Sequence, residues 1–123
     1  MTLPTSENEL LFLHNPRCSK SRETLGLLEE RSVVFETRLY LEDPLAKDEL
    51  ADLGRRLNKS PIEFTRIKQT EFFEAGLDTS SSDDQILAAM AISPILLERP
   101  ILVRGDRAMI GRPPADVLLL LEG

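Results

Sequence analysis

The chain contains one cysteine, Cys18, and one histidine, His14. Both fall in a short window, residues 14–22, that also holds Arg17, Lys20 and Arg22 and no carboxylate. Three cations therefore surround the thiol in a protein whose formal charge is −6. Guanidinium and ammonium groups favour the thiolate over the thiol, and the dipole and free N–H groups at a helix N-terminus favour it further. Cys18 is expected to be a reactive thiolate near neutral pH. The same N–H groups, with Arg22, would receive a tetrahedral oxyanion, so nucleophile and anion site would coincide. The plainer reading, a buried structural thiol, fits poorly with the polar neighbours Arg17, Ser19 and Lys20. His14 reads as a hydrogen-bonded residue that orients the loop or the thiolate, in preference to a group that transfers protons itself.

The same counts exclude other chemistries. A solitary cysteine rules out an internal disulfide, a CxxC redox pair and a zinc site built on several thiolates, and a solitary histidine rules out a histidine-rich metal site. No metal is expected. The acidic balance, 15 Lys and Arg against 21 Asp and Glu, argues against a nucleic-acid partner. The first residues have no basic leader, and no apolar run approaches the roughly 18 residues that span a bilayer. The expectation is a cytoplasmic, monomeric protein with no membrane association.

The elements that would position Cys18 can be read around it. Leu10 to Leu13 is a short apolar run ending at His14-Asn15-Pro16, which suits a buried strand entering a turn. An amphipathic helix follows from Ser21, with Leu25, Leu27 and Leu28 on one face and Ser19 or Ser21 available as its cap. Val33 to Tyr40 reads as a second strand. Helices are expected over 45–58, from Ser60-Pro61, and over 82–90. From Gln69 to Glu98 there is no Lys or Arg and six acidic residues, read as a solvated helical face. Pro100 to Val103, a Gly105-Asp106 turn, and Ala108 to Ile110 form a predicted hairpin. A final helix, Ala115 to Leu121, is expected to bury Val117, Leu118 and Leu121.

A phosphotyrosine-phosphatase loop would need an arginine where Thr24 stands. The pattern present, His14-x-x-x-Cys18-x-x-x-Arg22 within Leu-His-Asn-Pro-Arg-Cys-Ser-Lys-Ser-Arg-Glu-Thr-Leu, resembles the active-site loop of the glutaredoxin-dependent arsenate reductases, the ArsC family. The resemblance extends from about Leu11 to Leu121, through Glu98-Arg99-Pro100-Ile101-Leu102-Val103 and Ile110-Gly111-Arg112-Pro113-Pro114. It implies an α/β, thioredoxin-like fold: one domain over 1–123, with a mixed four-stranded sheet, flanking helices and a helical insertion at about 45–95. Pro100 looks like the cis proline that faces the thiol in such folds. By resemblance the catalytic cysteine is Cys18, assisted in its loop by Ser21, Arg22 and His14. The further substrate-binding arginines look like Arg66, Arg99 and Arg112. Arsenate would be the substrate, glutathione the co-substrate and a glutaredoxin the partner, with no bound cofactor. Two alternatives remain on the same residues. Cys18-Ser19-Lys20-Ser21 has the form of a glutathione-dependent monothiol oxidoreductase site, and the fold is shared by Spx-like regulatory modules, whose CxxC switch is interrupted here by Ser21.

Overall fold

The computed structural model describes residues 3–121. The chain divides into two compact units, one formed by residues 1–43 and 99–123 and the other by residues 44–98. The first unit contains the sheet. Its strands are β1 (Leu10–His14), β2 (Glu36–Leu39), β3 (Ile101–Arg104) and β4 (Arg107–Ile110), in the spatial order β2-β1-β3-β4. β2 runs parallel to β1, while β1 with β3 and β3 with β4 are antiparallel. The parallel pair is joined by α1 (Ser19–Glu30), so the sheet is mixed and its first three elements form a βαβ unit.

β1 is apolar on successive residues because it is central and covered on both faces. Phe12 faces a cluster with Leu28 of α1, Leu102 of β3, and Val117 and Leu120 near the C-terminus. Leu11 and Leu13 point the other way and are buried as well. Burying one such side chain contributes about 1.5–3 kcal/mol.

The second unit contains α2 (Lys47–Leu57), α3 (Thr70–Glu74) and α4 (Asp83–Ile92), with 3₁₀ turns at Pro61–Phe64 and Pro94–Leu96. Ser82 caps α4 by accepting from the Gln85 N–H, and Gln85 Oε1 accepts from the Ser82 N–H in return. In the acidic stretch, Asp84 is paired with Lys47. No helix among the described residues is long and apolar enough to cross a membrane.

Four local expectations need correction. α1 begins at Ser19 and not at Ser21, and neither serine caps it; Cys18 is the N-cap residue, with extended φ and ψ and no side-chain cap bond. β2 begins only at Glu36, because its pairing with β1 starts opposite Leu11. Val34 is 90% exposed, whereas Phe35 turns its ring edge-on to Phe12. α3 carries no sequence signal strong enough to be anticipated. The C-terminal segment, Pro114–Leu121, is a 3₁₀ helix that buries Pro114, Val117 and Leu120. That spacing of three is the 3₁₀ repeat, which takes Leu119 out to solvent and puts Leu120 in the core, with Leu121 partly buried against it and Leu118 only half-buried.

Candidate active site

The carboxyl end of β1 runs directly into the thiol loop. Asn15 closes a tight turn in which its Oδ1 accepts from the Arg17 N–H at 3.0 Å and its carbonyl accepts from the Cys18 N–H at 3.0 Å. The Cys18 carbonyl then accepts the first bond of α1 from the Arg22 N–H, also at 3.0 Å. Cys18 thus sits where the strand ends and the helix begins, half-buried, beside the free N–H groups of the first turn.

Ser21 ties the loop together from beneath. It is fully buried; its Oγ accepts from the Asn15 N–H at 3.0 Å and lies 2.7 Å from His14 Nδ1. His14 is itself buried and stacks on Phe12 with ring centroids 5.2 Å apart. Burial and then the charge of Arg22 hold the imidazole below its ordinary pKa, so it is neutral at pH 7. Arg22 is committed to the loop, its guanidinium donating to the Pro16 carbonyl at 2.9 Å.

Partial burial pushes the Cys18 thiol up, but the Ser21 N–H, the charge of Arg99, the Lys20 N–H and a hydrogen bond from the Arg99 guanidinium outweigh it, and the net shift is downward. The cation that lowers this thiol is therefore Arg99, not the neighbouring Arg17, Lys20 or Arg22. Arg99 is distant in sequence and arrives because β3 pairs antiparallel with β1, Ile101 opposite Leu13. The Arg99–Pro100 peptide is cis, as is Arg112–Pro113. Arg112 Nε donates to the Arg99 carbonyl at 2.9 Å and the Gly111 N–H to the Pro100 carbonyl at 2.8 Å, which fastens the exit of β4 to the segment bearing Arg99. Gly111 is required for this approach, since a Cβ there would stand 2.9 Å from Pro100 Cγ and 3.1 Å from Thr24 Oγ1.

Six of the seven residues singled out in the sequence, His14, Cys18, Ser21, Arg22, Arg99 and Arg112, lie in the sheet-bearing unit. Arg66 belongs to the other unit, where its N–H donates to the Leu96 carbonyl at 2.7 Å and its guanidinium to the Ile95 carbonyl. Asn15, which the sequence marks only as part of the turn after β1, also fixes the loop through its side-chain Oδ1. No three His, Cys, Asp or Glu side chains among the described residues converge to hold a metal ion. The arrangement offers instead an activated thiol at a helix N-terminus with a guanidinium beside it, which suits nucleophilic attack on an oxyanion.

Comparison with known proteins gives the same frame. YfgD of Escherichia coli (strain K12), an uncharacterized protein, is 49% identical over 112 residues, covering 89% of this chain and 94% of its own. The arsenate reductase of Neisseria meningitidis (strain MC58) is 41% identical over 115 residues, covering 92% of this chain and 98% of its own. Among solved structures, the arsenate reductase from Vibrio cholerae superposes with a TM-score of 0.87 at 41% identity, covering 91% of this chain and 97% of that one. The sequence profile of the ArsC family matches residues 13–120, so the chain, with its mixed sheet and thioredoxin-like fold, belongs to the ArsC family.

Proposed function

We propose that the protein reduces arsenate to arsenite through a covalent adduct on Cys18, drawing electrons from glutathione and a glutaredoxin. The observation that carries this reading is the Cys18 thiol, held below its ordinary pKa at the open N-terminus of α1 by backbone N–H groups and Arg99. Relatives at 41% identity that bear the name arsenate reductase support the choice of oxyanion.

The Cys18 thiolate attacks arsenic, an S–As bond forms, and one As–O bond breaks, its hydroxide leaving as water with a proton from solvent. Arg99 and the first-turn N–H groups stabilise the charge on the remaining oxygens, with Arg112 bracing Arg99, and the donors of Arg22 not given to Pro16 serving the anion by family resemblance. Ser21 and His14 position the loop; a neutral, buried His14 is suited to that role. Glutathione thiolate then attacks the Cys18 sulfur. An S–S bond forms and the S–As bond breaks with its electron pair staying on arsenic as a lone pair, and arsenite leaves as its oxygens take up protons from solvent. A glutaredoxin thiolate takes the glutathione from Cys18, regenerating its thiolate. With one cysteine in the chain, both reducing thiols come from outside, which suits the reducing cytoplasm.

The test is arsenate-dependent NADPH oxidation with glutathione, glutaredoxin and glutathione reductase. Wild type is expected to turn over only with glutathione present, and Cys18→Ser to be inactive. Equal rates in the two proteins would sink the proposal.

A further inference from the structure

A groove of about 430 Å³ lies against the Cys18 loop on the side away from Arg99, within the size range of small-ligand sites. Its placement follows from the sheet. β1 lies between β2 and β3, so one flank of the loop faces the entry to β3, where Arg99 stands. The other flank faces the end of β2, where Leu39 is paired with His14. Pro16 and Arg17 form one wall of the groove, and Leu39, Leu41 and Glu42 form the other.

Both walls are held in place. The Leu39 carbonyl accepts from the N–H groups of Glu42 and Asp43, each at 2.9 Å. The buried Arg38 pins this turn, its Nε 3.0 Å from the Asp43 carbonyl and 3.3 Å from Asp43 Oδ2. Across the groove, the Pro16 carbonyl is held by Arg22 and the Arg17 N–H by Asn15. The Arg17 and Glu42 side chains, by contrast, are exposed and make no bond to another group among the described residues. Leu39 and Leu41 are each 36% exposed, a partly open apolar strip between a cation and an anion.

A ligand matched to this groove carries a carboxylate at one end, an ammonium group at the other and an apolar thiol-bearing centre. We propose that the groove seats glutathione, with a carboxylate on Arg17, the α-ammonium on Glu42 and the cysteinyl methylene against Leu39 and Leu41. This rests on the arsenate reductase reading, and it adds a direction to it. With Arg99 drawing the oxygens of the adduct to its own flank, a thiol arriving from the β2 flank comes to the Cys18 loop from the opposite side.

S-methylglutathione, which cannot exchange, is titrated into full-length Cys18→Ser by NMR. Amide shifts are expected at Arg17, Leu41 and Glu42, with affinity falling roughly tenfold when Arg17→Ala or Glu42→Gln is added. In the coupled assay the same two substitutions in the active protein are expected to raise the KM for glutathione roughly tenfold, with the KM for arsenate unchanged. Turnover supported by 2-mercaptoethanol, which has neither charge, is expected to be unaffected. Unaltered S-methylglutathione affinity in both variants, or equal losses with 2-mercaptoethanol, would overturn the groove. Binding at the groove by a protein that does not turn over arsenate would instead overturn the proposed function and leave the groove standing.

Discussion

Ser21→Ala tests how the thiol loop is held. Ser21 is fully buried in the first turn of α1, and its Oγ serves two buried partners, the Asn15 N–H at 3.0 Å and His14 Nδ1 at 2.7 Å. Alanine keeps the helix and removes only the hydroxyl, leaving both partners unsatisfied. A buried polar group left without a partner costs about 1–3 kcal/mol, so the pair costs about 2–6 kcal/mol, a large share of the roughly 5–15 kcal/mol that holds a typical domain folded. At roughly 4 °C per kcal/mol for a chain of this size, Tm is expected to fall by roughly 8–24 °C. Urea denaturation at pH 7.5 gives the free energy directly, as a lower midpoint with unchanged slope. The control is Ser19→Ala, two residues away on the exposed side of the same turn, expected to stay within about 0.5 kcal/mol of wild type. A Ser21→Ala protein as stable as the Ser19→Ala control would mean that the Ser21 hydroxyl does not hold the loop.

Three other outcomes follow from the same geometry. The pH profile of Cys18 alkylation by iodoacetamide is expected to lie below that of a free cysteine and to move to higher pH in Arg99→Leu, but hardly at all in Arg17→Ala; the reverse ranking would return the activating charge to the local cluster. His14 has a folded pKa below its ordinary 6.5, so the unfolded chain takes up its proton first as pH falls. The stability it contributes is complete above pH 6.5 and is lost as pH drops through the folded pKa, so wild-type urea midpoints are expected to fall between pH 7 and 5.5 more steeply than those of His14→Asn, and parallel curves would remove His14 as the cause. Gly111→Ala places a methyl group 2.9 Å from Pro100 Cγ and 3.2 Å from Val117 Cγ1, and is expected to cost about 1–3 kcal/mol; a change below 0.5 kcal/mol would mean that this contact yields freely.

What was legible in the sequence was local. The apolar run at Leu10 to Leu13, the Gly105-Asp106 turn and the cationic window around Cys18 each announce their role within a few residues. Elements decided by pairing partners or by distant contacts were harder to read. Val33 to Phe35 is strongly β-forming, yet the strand waits for Glu36 because β1 offers a partner only from Leu11. Pro114 to Leu121 is apolar enough to pass for an α-helix, and only packing selects the three-residue repeat. The site divides the same way. Cys18 and its helix N-terminus could be located from composition and spacing, but the source of its charge could not. Arg22 is adjacent in sequence and spends its guanidinium on Pro16, while Arg99 reaches the thiol through the register of β3.

On the proposed route arsenic and glutathione meet on the Cys18 sulfur. Rapid quenching of a single turnover, without glutaredoxin, followed by mass spectrometry of the intact protein and its peptides, tests it most directly. One glutathione per chain is expected, on Cys18, formed only when arsenate is present and in step with released arsenite. Arsenite appearing while Cys18 stays unmodified, or the same mixed disulfide forming at the same rate without arsenate, would contradict it.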